Sequence, residues 1–145
     1  MSVIRAEKYY TYEDWLAMDD DLRSELIDGA IYYMSSPAWR HQAVQIELAR
    51  QFATFLLGKS CKVVTAFNVR LDKRRDTVFI PDISVICDPK KITERVCEGA
   101  PDFIVEILSP STSGYGKVTK FHEYLNAGVF IGLWIQSTIP SPLVV

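Results

Sequence analysis

Two acidic residues stand in the middle of apolar segments, where a charge is costly. Glu106 lies within residues 101–109, a run rich in Ile, Val and Phe, and Asp82 lies within residues 78–87, which have the same character. Short β-branched runs of this kind are typical of strands that are covered on both faces. A buried carboxylate is costly unless it is hydrogen-bonded, neutralised or bound to a metal. Each position therefore predicts a functional or structural site.

We expect the two acids to share one site. In a strand, residues two apart lie on the same face, so each acid is predicted to lie beside apolar neighbours. Two isolated buried carboxylates would cost more than two that lie on neighbouring strands and share a cation. The residues therefore predict adjacent strands in which Asp82 and Glu106 bind a hard, oxygen-seeking divalent ion.

A helix predicted for residues 116–126 follows the Glu106 strand and supplies further candidates. Lys117, Lys120 and Tyr124 fall on one face of this helix. One lysine could reach back to the carboxylates, or both could be solvated, and the residues alone favour neither reading. The apolar stripe predicted to pack this helix against the sheet comprises Val118, Phe121 and Leu125.

Glu25 and His41 are weaker candidates on sequence grounds. Glu25 stands at the open end of a hairpin predicted for residues 24–34, whose Asp-Gly pair is typical of a two-residue turn, and this position favours a surface acid. His41 lies in the first turn of a helix predicted for residues 38–57, with Gln45 one turn later instead of a metal ligand. A lone histidine there is more often hydrogen-bonded or exposed than part of a site.

Three consecutive basic residues, Lys73, Arg74 and Arg75, lie between a strand predicted for residues 61–71 and the Asp82 strand. Basic loops of this kind contact phosphate backbones. A solvated turn is the alternative, which the acids on either side of the triplet favour.

The other connections are a short helix over residues 11–18, with Thr11 as its N-cap, and a surface loop or helical turn over residues 88–99.

Composition indicates one globular domain over residues 1–145, because 48% of the residues are hydrophobic and 23% are charged. No apolar run approaches the roughly 18 residues of a membrane span, and the first residues lack the pattern of a signal peptide. We therefore expect a cytoplasmic protein with no membrane partner. The net charge of −2 gives no overall nucleic-acid footprint, so any contact with DNA must come from local patches.

The three cysteines are Cys61, Cys87 and Cys97, and none forms a C-x-x-C pair. Their odd number and irregular spacing favour neither a zinc site nor a disulfide framework. We predict buried free thiols at all three positions.

The ordered set of motifs resembles the Uma-two family of restriction endonucleases, which belongs to the PD-(D/E)XK nuclease superfamily. Each piece alone is weak, but their order is specific, and the resemblance covers about residues 10–129. The pieces are Glu25-Leu26-Ile27-Asp28-Gly29, Met34-x-x-Pro37 with His41, Pro81-Asp82, Glu106-Ile107-Leu108-Ser109-Pro110-Ser111-Thr112 and Lys120-Phe121-x-x-Tyr124-x-x-Ala127-Gly128-Val129.

This resemblance implies an α/β (α+β) restriction-endonuclease-like fold, with a mixed central β-sheet flanked by helices and an N-terminal helix and β-hairpin. It implies that Asp82 and Glu106, with the backbone carbonyl of Ile107, bind the metal. It also implies that Lys120 is the superfamily lysine, moved from the strand to the following helix. Residues placed near the same site by the resemblance are Glu25, as a catalytic residue, and His41 and Tyr124, in a second tier.

The implied activity is Mg²⁺- or Mn²⁺-dependent hydrolysis of phosphodiester bonds in DNA. Such a reaction needs a nucleophilic water, a Lewis acid on the phosphate and compensation for the charge that develops. The basic residues predicted to contact DNA are Lys73, Arg74, Arg75 and Lys117. Because cutting both strands of a duplex commonly uses two copies related by a two-fold axis, a homodimer is expected.

One departure from the family pattern keeps two alternatives open. Gly116 stands where the family usually has an acid four residues before the lysine. The chain could instead be a nucleic-acid-binding or interaction module that keeps the fold without the chemistry. In the other alternative Lys120 neutralises the acids as a structural ion pair and no metal binds.

The chain departs from the family pattern again after Val129. The family continues with a strand of the type Glu-Tyr-Trp-Ile-Val-Asp-Pro, whereas residues 130–140 read Phe-Ile-Gly-Leu-Trp-Ile-Gln-Ser-Thr-Ile-Pro. We predict that residues 130–145 are atypical because of a frameshift or truncation that replaced the last native strand, which would leave the sheet edge uncovered.

Resequencing the gene tests this explanation. The genetic code permits codons for residues 130–136 that give Tyr-Trp-Ile-Val-Asp-Pro in a shifted reading frame. We expect the gene to contain such codons, and codons that cannot give that reading would rule the frameshift out.

Overall fold

The computed structural model describes residues 2–3, 8–19, 21–108 and 115–135, with the side chains of 8–19, 21–108 and 118–132. The helices are α1 (Tyr12–Leu16), α2 (Trp39–Phe55) and α3 (Tyr115–Asn126), with a 3₁₀ turn at Pro89–Lys91. The strands are β1 (Ser2–Val3), β2 (Ser24–Ile27), β3 (Ala30–Tyr33), β4 (Lys62–Thr65), β5 (Asn68–Arg70), β6 (Ile83–Ile86), β7 (Val96–Glu98), β8 (Phe103–Leu108) and β9 (Phe130–Ile135).

The central sheet has the strand order β4-β6-β8-β9. Strand β6 pairs antiparallel with β4 and with β8, whereas β8 and β9 are parallel, as expected for two strands joined by the crossover helix α3. The mixed α/β fold predicted from the resemblance is confirmed. The predicted adjacency of the strand that follows Asp82 and the strand that carries Glu106 is confirmed as well.

Helices α2 and α3 cover opposite faces of β8. Phe103 and Val105 pack with Ala49 of α2, whereas Ile104 packs with Tyr124 of α3. This follows from the alternation of side chains along a strand. Glu106, two residues after Ile104, therefore belongs to the α3 side of the sheet.

A second layer surrounds the hairpin β2–β3. Its turn is Asp28-Gly29, and both residues have positive φ angles, 46° and 77°, as a type I′ hairpin turn requires. Leu26 exchanges backbone hydrogen bonds with Val78 at 3.0 and 2.6 Å, which attaches the hairpin to the segment before Asp82. Helix α1 begins at its N-cap Thr11 as predicted and packs Trp15 against Leu26.

The strand predicted for residues 78–87 is shorter than expected. Strand β6 begins at Ile83, so Asp82 precedes the strand and does not lie in its middle. Val78 and Phe79 make only isolated bridges, to Leu26 and Val69. The cause is Pro81, which has no N–H with which to continue a ladder.

The strand predicted for residues 61–71 is divided into β4 and β5, which belong to different sheets. The break falls at Ala66, whose φ of 48° cannot continue a strand. The segment 88–99, predicted as a surface loop or helical turn, contains the 3₁₀ turn and also strand β7, which pairs parallel with β5 and buries Val96 and Cys97.

The orientation predicted for α3 is wrong. Val118 and Leu125, assigned to the buried stripe, are 55% and 50% exposed, whereas Lys120 and Tyr124 are 6% and 0% exposed. The helix thus turns its polar residues toward the sheet, because acids buried there bind them.

Strand β9 pairs with β8 over its whole length, from Phe103↔Phe130 to Leu108↔Ile135. A strand is therefore present where its loss was predicted. The rest of the predicted atypical segment, residues 136–145, lies outside the described residues, as do residues 109–114. Among the helices that the structure describes, none is long and apolar enough to span a membrane.

Two of the three predicted free thiols are instead joined in a disulfide. Cys61 and Cys87 flank the paired ends of β4 and β6, where Lys62 lies opposite Ile86, so the antiparallel register places the two cysteines opposite each other. Spacing along the chain gives no sign of this pairing. Cys97 is buried and free, as predicted.

We expect one free thiol per chain when the protein is unfolded without a reductant and assayed with a thiol reagent. After reduction the same assay should give three. Burial raises the pKa of Cys97 to about 11, so the folded protein should react slowly even at mildly alkaline pH. Three thiols before reduction would contradict the disulfide.

Candidate active site

Glu25 is a buried acid, contrary to the surface position predicted from the hairpin. Its side chain is 0% exposed, and Oε1 accepts a hydrogen bond from the backbone N–H of Ile80 at 2.9 Å. The segment 78–80 covers this end of β2 because it pairs with the hairpin. Oε2 of Glu25 is also buried and has no hydrogen-bond partner among the described residues.

Asp82 lies at the point where β6 and β8 separate. Its Oδ2 accepts a hydrogen bond from the backbone N–H of Ile107 at 2.7 Å, and its Oδ1 lies 3.0 Å from Nε2 of His41. The carboxylate thus takes the place of a backbone partner in the ladder. It connects β8 to the first turn of α2.

Glu106 projects from β8 toward α3 and is 4% exposed. Its Oε1 accepts a hydrogen bond from the hydroxyl of Tyr124 at 2.8 Å and lies 3.6 Å from Nζ of Lys120. Burial, and after it the negative charges of Glu106 and Glu25, raise the pKa of Tyr124 well above its usual range. The phenol therefore remains a hydrogen-bond donor.

Lys120 lies between Glu25 and Glu106. Its Nζ lies 2.5 Å from Oε1 of Glu25 and 3.6 Å from Oε1 of Glu106. Burial alone lowers the pKa of Lys120, but attraction to Glu106 and Glu25 outweighs burial, and the net pKa is raised. The lysine is therefore a charged, buried group and not a solvated one.

His41 makes a hydrogen bond, one of the ordinary roles expected for it, but its partner is the candidate metal-binding Asp82. Its Nδ1 is buried without a hydrogen-bond partner among the described residues. One turn later Gln45, which sequence reasoning did not select, donates from Nε2 to the backbone carbonyl of Asp82 at 2.8 Å. The i, i+4 spacing of His41 and Gln45 was the available signal.

The basic triplet lies apart from these contacts. Arg74 pairs with Asp72, and Arg75 pairs with Asp28 and Glu123, so both arginines already have acidic partners within the chain. With Lys73 they line a cavity of about 410 Å³ beside the C-terminal part of α3. Lys117 lies on α3, but its side chain is outside the described part of the chain.

The donor atoms suit a hard divalent cation. Three carboxyl groups and one lysine supply more oxygen donors than cationic groups at a buried place. If the register Ile83↔Val105 is continued, Ile107 lies opposite Pro81, which has no N–H to donate to the Ile107 carbonyl. That carbonyl and the Asp82 carboxylate share one edge of β8.

In the described residues, no three His, Cys, Asp or Glu side chains converge at metal-ligand spacing. An ion held by Asp82, Glu106 and the Ile107 carbonyl would therefore complete its shell with water. This is the usual manner in which Mg²⁺ is bound in proteins, through one or two carboxylates and several waters.

The mixed sheet β4-β6-β8-β9, with α2 and α3 on its two faces, defines a restriction-endonuclease-like fold. A solved structure of "a putative nuclease belonging to DUF820" from Anabaena variabilis has the same fold, with a TM-score of 0.70 and 24% identity over 86% of this chain and 73% of that one. The model of the Uma2 family, described as "Putative restriction endonuclease", matches residues 6–138. The chain belongs to the Uma2 family.

The family match extends beyond the motifs that carried the resemblance and includes residues 130–138. Two Synechocystis proteins are also similar. The "Uncharacterized protein slr1290" is 30% identical over 114 residues, which are 77% of this chain and 60% of that protein. The "Uncharacterized protein sll1609" is 24% identical over 128 residues, 86% of this chain and 72% of that one. The chain thus spans less than two thirds of the length of the first of these relatives.

The substitution Lys120→Met is expected to lower the free energy of unfolding by about 3 kcal/mol or more, because it leaves buried carboxylates unpaired. Adding Glu25→Gln should recover part of this loss, since the partner charge is then removed too. Urea denaturation measures both variants.

The matched control is Lys90→Met, which removes an exposed lysine in the 3₁₀ turn and should change stability by less than about 0.5 kcal/mol. If Lys120→Met unfolded at the same urea concentration as the wild type, the buried ion pair would not contribute to stability.

Proposed function

We propose that this protein is a divalent-metal-dependent endonuclease that hydrolyses phosphodiester bonds in DNA. The observation that carries this proposal is the buried cluster of Glu25, Asp82, Glu106 and Lys120 at the point where β6 and β8 separate. Membership of a nuclease family supports the same reaction class. Metal, substrate and residue roles are our proposal.

Asp82 and Glu106, with the Ile107 carbonyl, would hold Mg²⁺ or Mn²⁺. When bound, the ion supplies Lewis acidity toward the phosphate and lowers the pKa of a bound water. Asp82 is fixed for this role from two sides, by the Ile107 N–H and by His41. Glu106 is fixed by the Tyr124 hydroxyl, which occupies Oε1.

Lys120 would place a positive charge beside the attacking hydroxide or the phosphate, where negative charge develops during the reaction. Its raised pKa keeps it charged at neutral pH. Glu25 holds Nζ of Lys120 at 2.5 Å, and its second oxygen, Oε2, is the candidate to accept a proton from water.

The DNA backbone would be contacted by basic residues outside the cluster. Lys73 and Lys117 are the proposed contacts, with Arg74, whose side chain is 89% exposed beside Asp72. A homodimer with two-fold symmetry would bring one such site to each strand of a duplex. Cytoplasmic location remains a prediction from the sequence.

The second candidate is a nucleic-acid-binding module that keeps the fold without cutting. Gly116 favours it, because it removes the acid that the family pattern places one helical turn before Lys120. The direct pairing of Lys120 with Glu25 also favours a third reading, in which the ion pair is structural and no metal binds.

Incubation with supercoiled plasmid and Mg²⁺ or Mn²⁺ tests the nuclease proposal. We expect nicking that EDTA abolishes and that Asp82→Asn and Glu106→Gln each reduce by about 100-fold or more. Glu13→Gln, which neutralises an exposed acid on α1, is the matched control and should cut at the wild-type rate.

The other outcomes identify the alternatives. DNA binding without nicking, by wild type and variants alike, would favour the binding module. Calorimetric titration with Mn²⁺ examines the structural ion pair directly: heat of binding that both substitutions remove supports the metal site, and no binding by the wild type contradicts it.

A further inference from the structure

Helix α3 is held in an orientation that its own sequence disfavours. Lys120 and Tyr124 face the sheet, although Phe121 and Leu125 follow each of them by one residue. One residue corresponds to a rotation of about 100° around a helix axis. A rotation of that size would exchange the polar pair for the apolar pair, and apolar burial favours the exchange. A contact outside the cluster that fixes the rotation of α3 would therefore matter for the site.

Arg75 makes such a contact. Its Nη1 lies 2.5 Å from Oε2 of Glu123. Glu123 directly precedes Tyr124 and follows Lys120 by about one helical turn. Its Nη2 lies 2.7 Å from Oδ1 of Asp28 in the turn of the hairpin. One guanidinium thus bridges α3 and the hairpin.

The hairpin side of this bridge is well anchored. The N–H of Asp28 donates to Oγ1 of Thr77 at 3.1 Å, and the N–H of Gly29 donates to the carbonyl of Asp76 at 3.1 Å. Oδ1 of Asp76 accepts from the N–H of Tyr12 at 2.7 Å, which adds helix α1 to the same frame. The two residues that follow Arg75 therefore fix its position relative to the hairpin.

The same hairpin carries the partner of the lysine. Glu25 lies in β2, three residues before Asp28, and its Oε1 contacts Nζ of Lys120. Arg75 consequently joins the strand that carries Glu25 to the helix that carries Lys120. The hairpin and α3 are therefore joined at two places, by the buried pair of Glu25 and Lys120 and by Arg75.

We propose that Arg75 is a positioning residue, which acts through Glu123 and Asp28 to fix the rotation of α3 so that Lys120 faces the acids. The importance of Lys120 for chemistry rests on the proposed function, whereas its placement by Arg75 rests on these contacts alone. The ion pair with Glu123 should contribute more to the bridge than the pair with Asp28, because the Glu123 side chain is 24% exposed and that of Asp28 is 69% exposed. This role replaces the predicted DNA contact at Arg75.

Amine labelling of the folded protein, read by mass spectrometry, tests the placement without relying on activity. In the wild type, acetic anhydride should modify Lys120 slowly because it is buried and paired. In Arg75→Gln and in Glu123→Gln we expect about tenfold faster modification of Lys120, since α3 turns or opens more often. Exposed Lys59 should react at one rate in every variant. Arg74→Gln, on the same loop, is the matched control and should leave the labelling of Lys120 unchanged.

Plasmid cutting separates positioning from DNA contact. Positioning predicts that Arg75→Gln and Glu123→Gln both lower kcat with KM for DNA unchanged, and that the double variant is no slower than the slower single variant. A DNA contact at Arg75 predicts a raised KM for Arg75→Gln alone, because Glu123→Gln removes a negative charge that would repel DNA.

The outcomes for this proposal and for the nuclease proposal are distinct. If Lys120 labels no faster in Arg75→Gln or Glu123→Gln than in the wild type, the positioning role is overturned, whether or not the protein cuts DNA. If labelling is faster in both variants and the wild type does not cut, the positioning role is supported and the nuclease proposal fails. Should Arg75→Gln not fold, Glu123→Gln alone decides, because it breaks the same bridge from the helix.

Discussion

The buried cluster around Lys120 is the interaction on which the rest of the structure depends. Glu25 of β2 and Glu106 of β8 pair with Lys120 of α3. Asp82, from the segment before β6, bonds to the Ile107 N–H of β8 and acts on Lys120 through its charge. None of these charges can leave without exposing its partners to an uncompensated cost. The cluster therefore specifies how the hairpin, the central sheet and the last helix are placed relative to one another.

The orientation of α3 shows how this specification overrides the ordinary hydrophobic pattern. Burying Val118 and Leu125 would each contribute about 1.5–3 kcal/mol. The helix leaves both at least half exposed and buries a lysine and a tyrosine instead. Apolar burial alone would turn the neighbouring face inward, so the ion pairs of Lys120 and the hydrogen bond of Tyr124 to Glu106 outweigh the apolar pattern of this helix.

Local signals in the sequence were sufficient to predict part of the fold and part of the site. A charge inside an apolar run is visible without any partner, which is why Asp82 and Glu106 were selected, and the Asp-Gly turn identified the hairpin. The burial of Glu25, the rotation of α3 and the disulfide of Cys61 are different, because each depends on a residue far along the chain. Family resemblance placed Glu25 near the site where hairpin geometry alone predicted a surface acid. Contacts of this kind are set by strand register and helix rotation, which neither periodicity nor spacing determines.

Ala66 stabilises the backbone of Asp82 just before β6. Its N–H donates to the backbone carbonyl of Asp82 at 3.1 Å, and Gln45 donates to the same oxygen. A non-glycine residue at φ 48° costs about 1 kcal/mol. Glycine would avoid that cost, but it would also give the chain more freedom at the point where β4 turns away. Alanine therefore makes the folded backbone slightly less favourable at this bend than glycine would. In return it restricts the backbone that bonds to Asp82, so the position of the acid is better defined.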